Sequence, residues 1–354
     1  MKNKKIKTIL AIDTSCDETS AAITKENKII ANKVWSQSSL HANFGGVYPS
    51  LAKRKHEERI DFVINQALKR AKTDFRKIDA IAVTIGPGLA PALEVGIKKA
   101  KEISNKHKKL VFPINHVESH ILSPLINKDK KEIKNLLPAL GLVVSGGNTQ
   151  LVLIKKIGDY KTLANTIDDA LGEALDKGAR ALGLGYPGGA VLEKIAKKYE
   201  GEDKNPLPIP LVGKEALGKF SYSGLKTALV RLIEKTKKEK GDLTKEDIIR
   251  LAYFYQESAF EHIERVISFI IKNQKHKVRS IFVGGGVAAN NNLRKKIRKI
   301  ARENQIKILF PPKKSLCTDN AAMTGVCCFL KIENNTIKPK DPEKIDRVPK
   351  LKIS

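Results

Sequence analysis

Apolar positions along the chain switch between short continuous runs and helical spacing, with polar or glycine-rich turns between them. KTILAID (7–13) is a continuous run that predicts a buried strand. Thr14 to Glu18 is a polar turn, and Thr19–Thr24 reads as a second strand, so the chain opens with a β-hairpin whose tip is exposed. IDAIAVTI (78–85) is another strand; it enters Gly86-Pro87-Gly88 and then a helix from Ala90 to Ala100. The second half repeats this plan. LGLVVSGG (140–147) and QLVLIKK (150–156) flank a turn at Asn148-Thr149, and VRSIFVGG (278–285) runs through Gly284–Gly286 into a helix from about Ala289 to Ile300. Between these lie helical spacing over Asp168–Leu184, a Pro/Gly turn with a second helix, a loop-to-helix stretch at 207–235 and a long amphipathic helix at 246–273. The pattern predicts two related α/β lobes with a cleft between them. The Lys/Pro-rich tail from Lys338 is expected to be loosely ordered.

Composition changes this picture in one respect. The chain has 354 residues, 66 Lys+Arg against 38 Asp+Glu, and a formal charge of +28. Two readings are open: a polyanionic partner such as nucleic acid, or a lysine-rich proteome. At 41% hydrophobic residues the chain can bury a core, and wholesale disorder is excluded. No apolar run reaches the roughly 18 residues of a membrane span, and ILAI is shorter than the core of a signal peptide, so a cytoplasmic location is expected. Cys16, Cys317, Cys327 and Cys328 form no C-x-x-C pair and are expected to be plain thiols.

Several segments carry candidate chemistry. His116 and His120 in NHVESH stand at i, i+4, one face of a helix, close enough to share a metal ion. A third ligand must come from elsewhere, and Asp319 in LCTDNA is a candidate. A zinc protease would need its glutamate next to the first histidine; Glu118 is instead about 200° around a helix from His116. The Ser145-Gly146-Gly147 tip suits close approach of an anion, or simply a tight hairpin. Gly284–Gly286 before a helix suits a phosphate, or close strand–helix packing; Asn290 offers an amide there, or caps the helix. Asp17 and Glu18 at the first hairpin tip are weak catalytic candidates. Gly183 to Gly188 fits G-x-G-x-x-G but follows a helix and contains Pro187, which rejects dinucleotide binding.

Taken in order, IDTSCDETSAAI (12–23), IGPGL (85–89), NHVESH (115–120), VVSGGNTQL (143–151), DDALGEALDKGARALGLGYPGG (168–189), FSYSGLKTA (220–228), GGVAANNNLR (285–294) and CTDNAAM (317–323) span nearly the whole chain. In these segments the sequence resembles the bacterial tRNA threonylcarbamoyladenosine transferases, the TsaD family once described as O-sialoglycoprotein endopeptidases. The resemblance implies two ribonuclease-H-like lobes of the kind shared by actin, sugar kinases and heat-shock chaperone ATPases, with the active site in the inter-lobe cleft. On that plan residues 1–130 form the first lobe, with 321–345 packing back on it. Residues 131–320 form the second, with a helical insertion at about 160–245, and 346–354 are a flexible tail. The implied reaction moves a threonylcarbamoyl group from threonylcarbamoyl-AMP to the exocyclic amine of the adenosine beside the anticodon, in tRNAs reading codons that begin with A. The implied metal ligands are His116, His120 and Asp319, for one divalent ion, iron or alternatively zinc. The implied substrate and nucleotide contacts are Val143, Val144, Ser145, Gly146, Gly147, Asp176, Gly189, Glu193 and Asn290. Glu18 and Asp17 are the catalytic candidates. The implied partners are tRNA, a paralogous non-catalytic protein and a P-loop ATPase, without a membrane. Asp13, Tyr48, Ser50 and Asn148 depart from the usual bacterial motif. The alternatives are a small-molecule kinase or ATPase of the same fold and, further off, a metalloprotease.

Overall fold

The computed structural model describes residues 5–273 and 278–353, without the side chain of Asn43. The first lobe holds β1 (Thr8–Asp13), β2 (Glu18–Lys25), β3 (Lys28–Ser36), β4 (Ala80–Gly86) and β5 (Leu110–Asn115), with helices α1 (Ser38–His41), α2 (Pro49–Arg70), α3 (Ala90–His107) and α4 (His116–Leu122). Its sheet runs β3-β2-β1-β4-β5, antiparallel from β3 to β1 and parallel from β1 to β5. After α5 (Lys130–Leu136) the second lobe lays down β6 (Ala139–Val144), β7 (Thr149–Lys156), β8 (Asp159–Thr166), β9 (Lys219–Phe220), β10 (Ser280–Gly284) and β11 (Lys307–Leu309). The order β11-β10-β6-β7-β8-β9 repeats the first sheet strand for strand, with β9 added at one edge. Its helices are α6 (Leu171–Ala181), α7 (Gly188–Ala196), α8 (Ser223–Lys240), α9 (Lys245–Asn273) and α10 (Asn291–Glu303), and the chain then returns to the first sheet, where α11 (Ala321–Glu333) packs on β1, β2 and β3.

The central strands are apolar throughout because both faces of each sheet are covered. In β1, Leu10 and Ile12 point to α2 and α3, whereas Ile9 and Ala11 point to the layer between the lobes. In the second sheet Leu140, Leu142 and Val144 face the outer helices, whereas Val143, Val152 and Phe282 face the same middle layer. That layer contains α4 and α11, packed on each other and on strands of both sheets. Each lobe's hairpin and glycine turn therefore sit at the rim of a shared central core.

Three expectations need correction. The helical insertion does not begin at 160: residues 159–166 form β8, a half-exposed strand whose polar outer face hides its period from a one-dimensional reading. The helix expected from Asp168 starts at Leu171, because Asp168 is held outside it. Its Oδ2 accepts hydrogen bonds from Ser221 Oγ (2.5 Å) and Ser223 Oγ (2.8 Å), and its Oδ1 one from Tyr222 N–H (2.8 Å). The tail, expected to be loose from Lys338 and flexible over 346–354, is docked through residue 352. Lys340 pairs with Val111, Ile345 is buried, Val348 N–H bonds Ile85 C=O, and Asn115 Nδ2 bonds Lys352 C=O. Ser354 lies outside the described residues. The four cysteines are free thiols.

Glu118, on the face of α4 away from the histidines, is 2% exposed. It accepts hydrogen bonds from Tyr160 Oη (2.7 Å) and Lys331 Nζ (2.5 Å), tying α4 to β8 and α11. Breaking a buried pair from one side leaves an uncompensated charge. Lys331→Met is expected to cost about 3 kcal/mol or more in a denaturant melt, and Glu118→Gln added to it to recover most of that loss. Equal stability of Lys331→Met and the parent would refute this.

His262 in α9 is buried against Phe220 and Tyr222, and its Nε2 accepts from Ser221 N–H (3.3 Å). Burial pushes its pKa down to about 4, against a smaller upward pull from Glu215. Between about 6.5 and 4 the unfolded chain binds a proton that the folded one refuses, so stability falls as pH drops through that window, by up to about 3 kcal/mol. His262→Gln is expected to flatten this part of the stability–pH curve.

Candidate metal centre and cleft

Strand β5 ends at Asn115, whose side chain caps α4 by accepting from Glu118 N–H (3.1 Å). The cap starts the helix at His116 and puts the two imidazoles on one face, edge to face with centroids 4.6 Å apart. Asp319 arrives from the other side. It lies in the turn before α11, held by Asn320, which caps that helix at Met323 N–H and donates from Nδ2 to Thr318 C=O (2.7 Å). Asp319 Oδ1 is 3.0 Å from His120 Nε2 and 3.5 Å from His116 Nε2. One ligand atom from each of the three residues lies within 4.8 Å of the other two. The spacing-based pair and the carboxylate about 200 residues away therefore meet.

Asp13, at the end of β1, completes the arrangement. It is 1% exposed. Its Oδ1 accepts from Ser15 N–H (2.9 Å), and its Oδ2 accepts from Thr84 Oγ1 (2.8 Å) and lies 3.2 Å from His116 Nδ1. With Nδ1–H donated to this carboxylate, His116 Nε2 keeps its lone pair on the Asp319 side. Burial opposes protonation of His116, but Asp319 and Asp13 outweigh it and raise its pKa well above the ordinary imidazole value. Burial likewise pushes Asp319 up, and the two imidazoles outweigh it and hold the carboxyl well below the usual range. Burial lowers His120. A buried and a part-exposed carboxylate facing two imidazoles ask for positive charge, and nitrogen and oxygen donors of this kind suit a divalent transition ion. The residues fit such an ion.

The glycine runs prove to be packing devices as well as openings. A Cβ on Gly284 would stand 2.1 Å from His120 C=O, and one on Gly285, whose φ is +94°, 2.3 Å from Val144 C=O. Only glycines allow β10 to end this close to α4 and β6. At the Ser145-Gly146-Gly147 tip, Ser145 N–H bonds Asn148 C=O (2.8 Å) and Asn148 N–H bonds Ser145 Oγ (3.1 Å), whereas Gly146 and Gly147 are exposed beside open space. Gly188 and Gly189 open α7, and Asp176 Oδ1 accepts from Gly188 N–H (2.9 Å) and Gly189 N–H (2.7 Å). Glu193 Oε1 accepts from Asn291 N–H (2.8 Å) at the start of α10.

Three of the implied ligand contacts are engaged within the protein itself. Val143 and Val144 are fully buried, with their backbones paired to Gln150, Gly284 and Thr149, so their side chains reach no ligand. The Asn290 side chain is spent on the α10 cap, accepting from Asn292 and Leu293 N–H, and on Gln256 Oε1 (2.8 Å). Glu18 and Asp17 sit at the first hairpin tip. Burial, then the neighbouring Asp17 and Asp319 carboxylates, raise the Glu18 pKa well above the ordinary range, and its Oε1 accepts from Ser36 Oγ (3.1 Å).

The family model described as tRNA N6-adenosine threonylcarbamoyltransferase matches residues 28–326. The chain belongs to this family. Relatives of that name include proteins of Persephonella marina (43% identical, 92% of this chain and 91% of theirs), Cyanothece sp. (42%, 94% of each) and Clostridium kluyveri (41%, 98% and 97%). Among solved structures, HypF of T. kodakarensis superimposes with a TM-score of 0.59 at 16% identity, over 93% of this chain and 48% of HypF. At that identity the likeness shows the fold alone, a two-lobed α/β architecture. The family is one of transferases that modify tRNA, so the protein is an enzyme of that kind.

Sequence reasoning passed over three residues. Asp13 was visible only as a departure from the motif, yet it orients His116. Arg180 of α6 lies across from the segment between α1 and α2, 3.4 Å from where a Cβ on Gly45 would stand. Tyr186 sits between lobes: burial, then the Asp17 and Asp176 carboxylates, push its phenol up. The signal for Asp13 was its place at the end of the first strand, an acid where the chain leaves the sheet. Asp13→Asn is expected to keep the fold and weaken divalent-ion binding about 10- to 100-fold, read by competition with a chelator. Unchanged affinity would leave Asp13 a purely structural role.

Proposed function

We propose that the chain transfers the threonylcarbamoyl group of threonylcarbamoyl-AMP to N6 of the adenosine beside the anticodon, in tRNAs reading codons that begin with A, with release of AMP. The observation that carries this reading is the convergence of His116, His120 and Asp319 within a two-lobed chain of this family. A small-molecule kinase of the same fold has no need of a paired-histidine centre, and a metalloprotease would need Glu118, which is buried and ion-paired away from the histidines.

His116, His120 and Asp319 would hold the divalent ion, iron or zinc, which when bound supplies Lewis acidity toward the donor's phosphate or threonyl oxygens. Asp13 keeps His116 in the tautomer that leaves Nε2 free. The open N–H groups of Gly146 and Gly147 are suited to the carbamoyl or phosphate oxygens, where charge grows as the amine adds. Asp176 Oδ2, with Oδ1 committed to α7, is suited to a ribose or threonine hydroxyl, and so is the remaining oxygen of Glu193. In the transfer, the adenine amine nitrogen bonds to the carbamoyl carbon, the bond from that carbon to the phosphate oxygen breaks, and AMP leaves with its electron pair. The amine proton goes to a base. Glu18, at the first hairpin tip, is the candidate for that role. A paralogous non-catalytic protein and a P-loop ATPase are the expected partners, in the cytoplasm. No helix among the described residues is long and apolar enough to cross a membrane.

The test supplies threonylcarbamoyl-AMP and unmodified tRNA, with and without the two partners, then digests the RNA and weighs its nucleosides. The modified adenosine is expected. AMP release with unmodified RNA in both conditions would refute the reading. In His116→Ala, metal content and transfer should fall together by at least about tenfold; full transfer by a metal-free variant would remove the ion from the reaction.

A further inference from the structure

The positive charge is not spread evenly. On the α2–α3 face, Lys53, Lys98 and Lys99 are interleaved with Glu57, Asp61, Glu94 and Glu102. Where α10 meets α9, Lys296 bridges Glu257 and Glu264. The remaining flank of α10 differs. Residues 291–316 carry nine Lys and Arg against a single acid, Glu303. Arg294, Arg298 and Arg302 recur every four residues, a stripe along one helix face about 12 Å long. Phe310 fixes its upper part: the Arg294 guanidinium lies 4.4 Å from the ring centroid and that of Arg298 5.3 Å. Arg294 also donates to Ala288 C=O (2.6 Å). Lys313 and Lys314 extend the stripe, and Lys314 Nζ bonds Asn291 Oδ1 (2.6 Å). Arg298, Arg302 and Lys313 are exposed and form no ion pair among the described residues. The segment begins beside Asn290 and Glu193 and ends three residues before Asp319, so the patch borders the candidate site.

We propose that this flank of α10, from Lys313 and Lys314 to Arg302, tracks the phosphate backbone of the RNA strand that delivers the adenosine to the cleft. The proposal rests on the tRNA reading above. Guanidiniums pre-set on an aromatic ring present planar forks to phosphate without losing much side-chain freedom. Phosphate contacts set register and orientation, while the choice of base is left to the cleft.

The test uses the full chain and an unmodified tRNA transcript, with affinity measured from about 50 to 200 mM salt. One variant is R298Q/R302Q/K313Q. Its control is K130Q/K134Q/K156Q, which removes three exposed charges lining a groove between α5, β7 and α11. Each lost phosphate contact lowers the slope of log affinity against log salt by about one. The α10 variant is expected to lose two to three units of slope and at least about tenfold in affinity at low salt, with AMP binding unchanged. The control should stay within about twofold of the parent. R298K/R302K, with the charge kept, should retain most of the slope. Parental tRNA binding by the α10 variant, an equal loss in the control, or loss of slope in the lysine variant would overturn the proposal. A parent that binds AMP but not tRNA would sink the tRNA reading and this surface with it.

Discussion

Two short helices wedged between the sheets hold the molecule's chemistry in place. α4 and α11 share one apolar layer with β1 of the first lobe and with β6 and β10 of the second. The imidazoles sit at the start of one helix and Asp319 just before the other, so the position of the three donors is set by packing between the lobes. The same layer buries the Glu118–Lys331 pair on the far side of α4, which fixes the helix's rotation about its axis. A rotation of one residue would turn the histidines about 100° away from Asp319. The buried pair thus guards the register of the centre without touching it.

Around that centre, polar side chains serve the backbone before they serve any ligand. Asn115 caps α4, Asn320 caps α11, Asn290 caps α10, and Asp176 and Glu193 receive N–H groups from the first turns of α7 and α10. Helix starts therefore line the cleft, and their unpaired N–H groups and partial positive charge make it hospitable to anions. The basic flank of α10 begins at one of these helix starts. That helix has its N-terminus at the Asn290 cap and its cationic side facing solvent.

The docked C-terminal tail closes the first lobe's glycine turn from outside, where it meets Ile85 and Gly88. Lys and Pro residues suggested looseness because composition reports what a segment would do alone. The backbone bonds to β4, β5 and the glycine turn come from surfaces that exist only once the sheet has formed.

Much of this protein is written in local pattern. The two hairpins, the two strand–glycine–helix units and the long helix after residue 245 are legible because their periods of 2 and 3.6 repeat over neighbouring residues. The i, i+4 histidines are legible for the same reason, since a helix brings them together whatever else the chain does. Strand β8 was not legible, because its outer face is polar and solvent blurs the alternation. Nor were the partners of Asp13, Glu118 and Asn290. An isolated carboxylate or amide reads the same whether it caps a helix, orients an imidazole or meets a ligand. Those roles depend on which side chain arrives from 100 or 300 residues away, and burial in the layer between two sheets settles that.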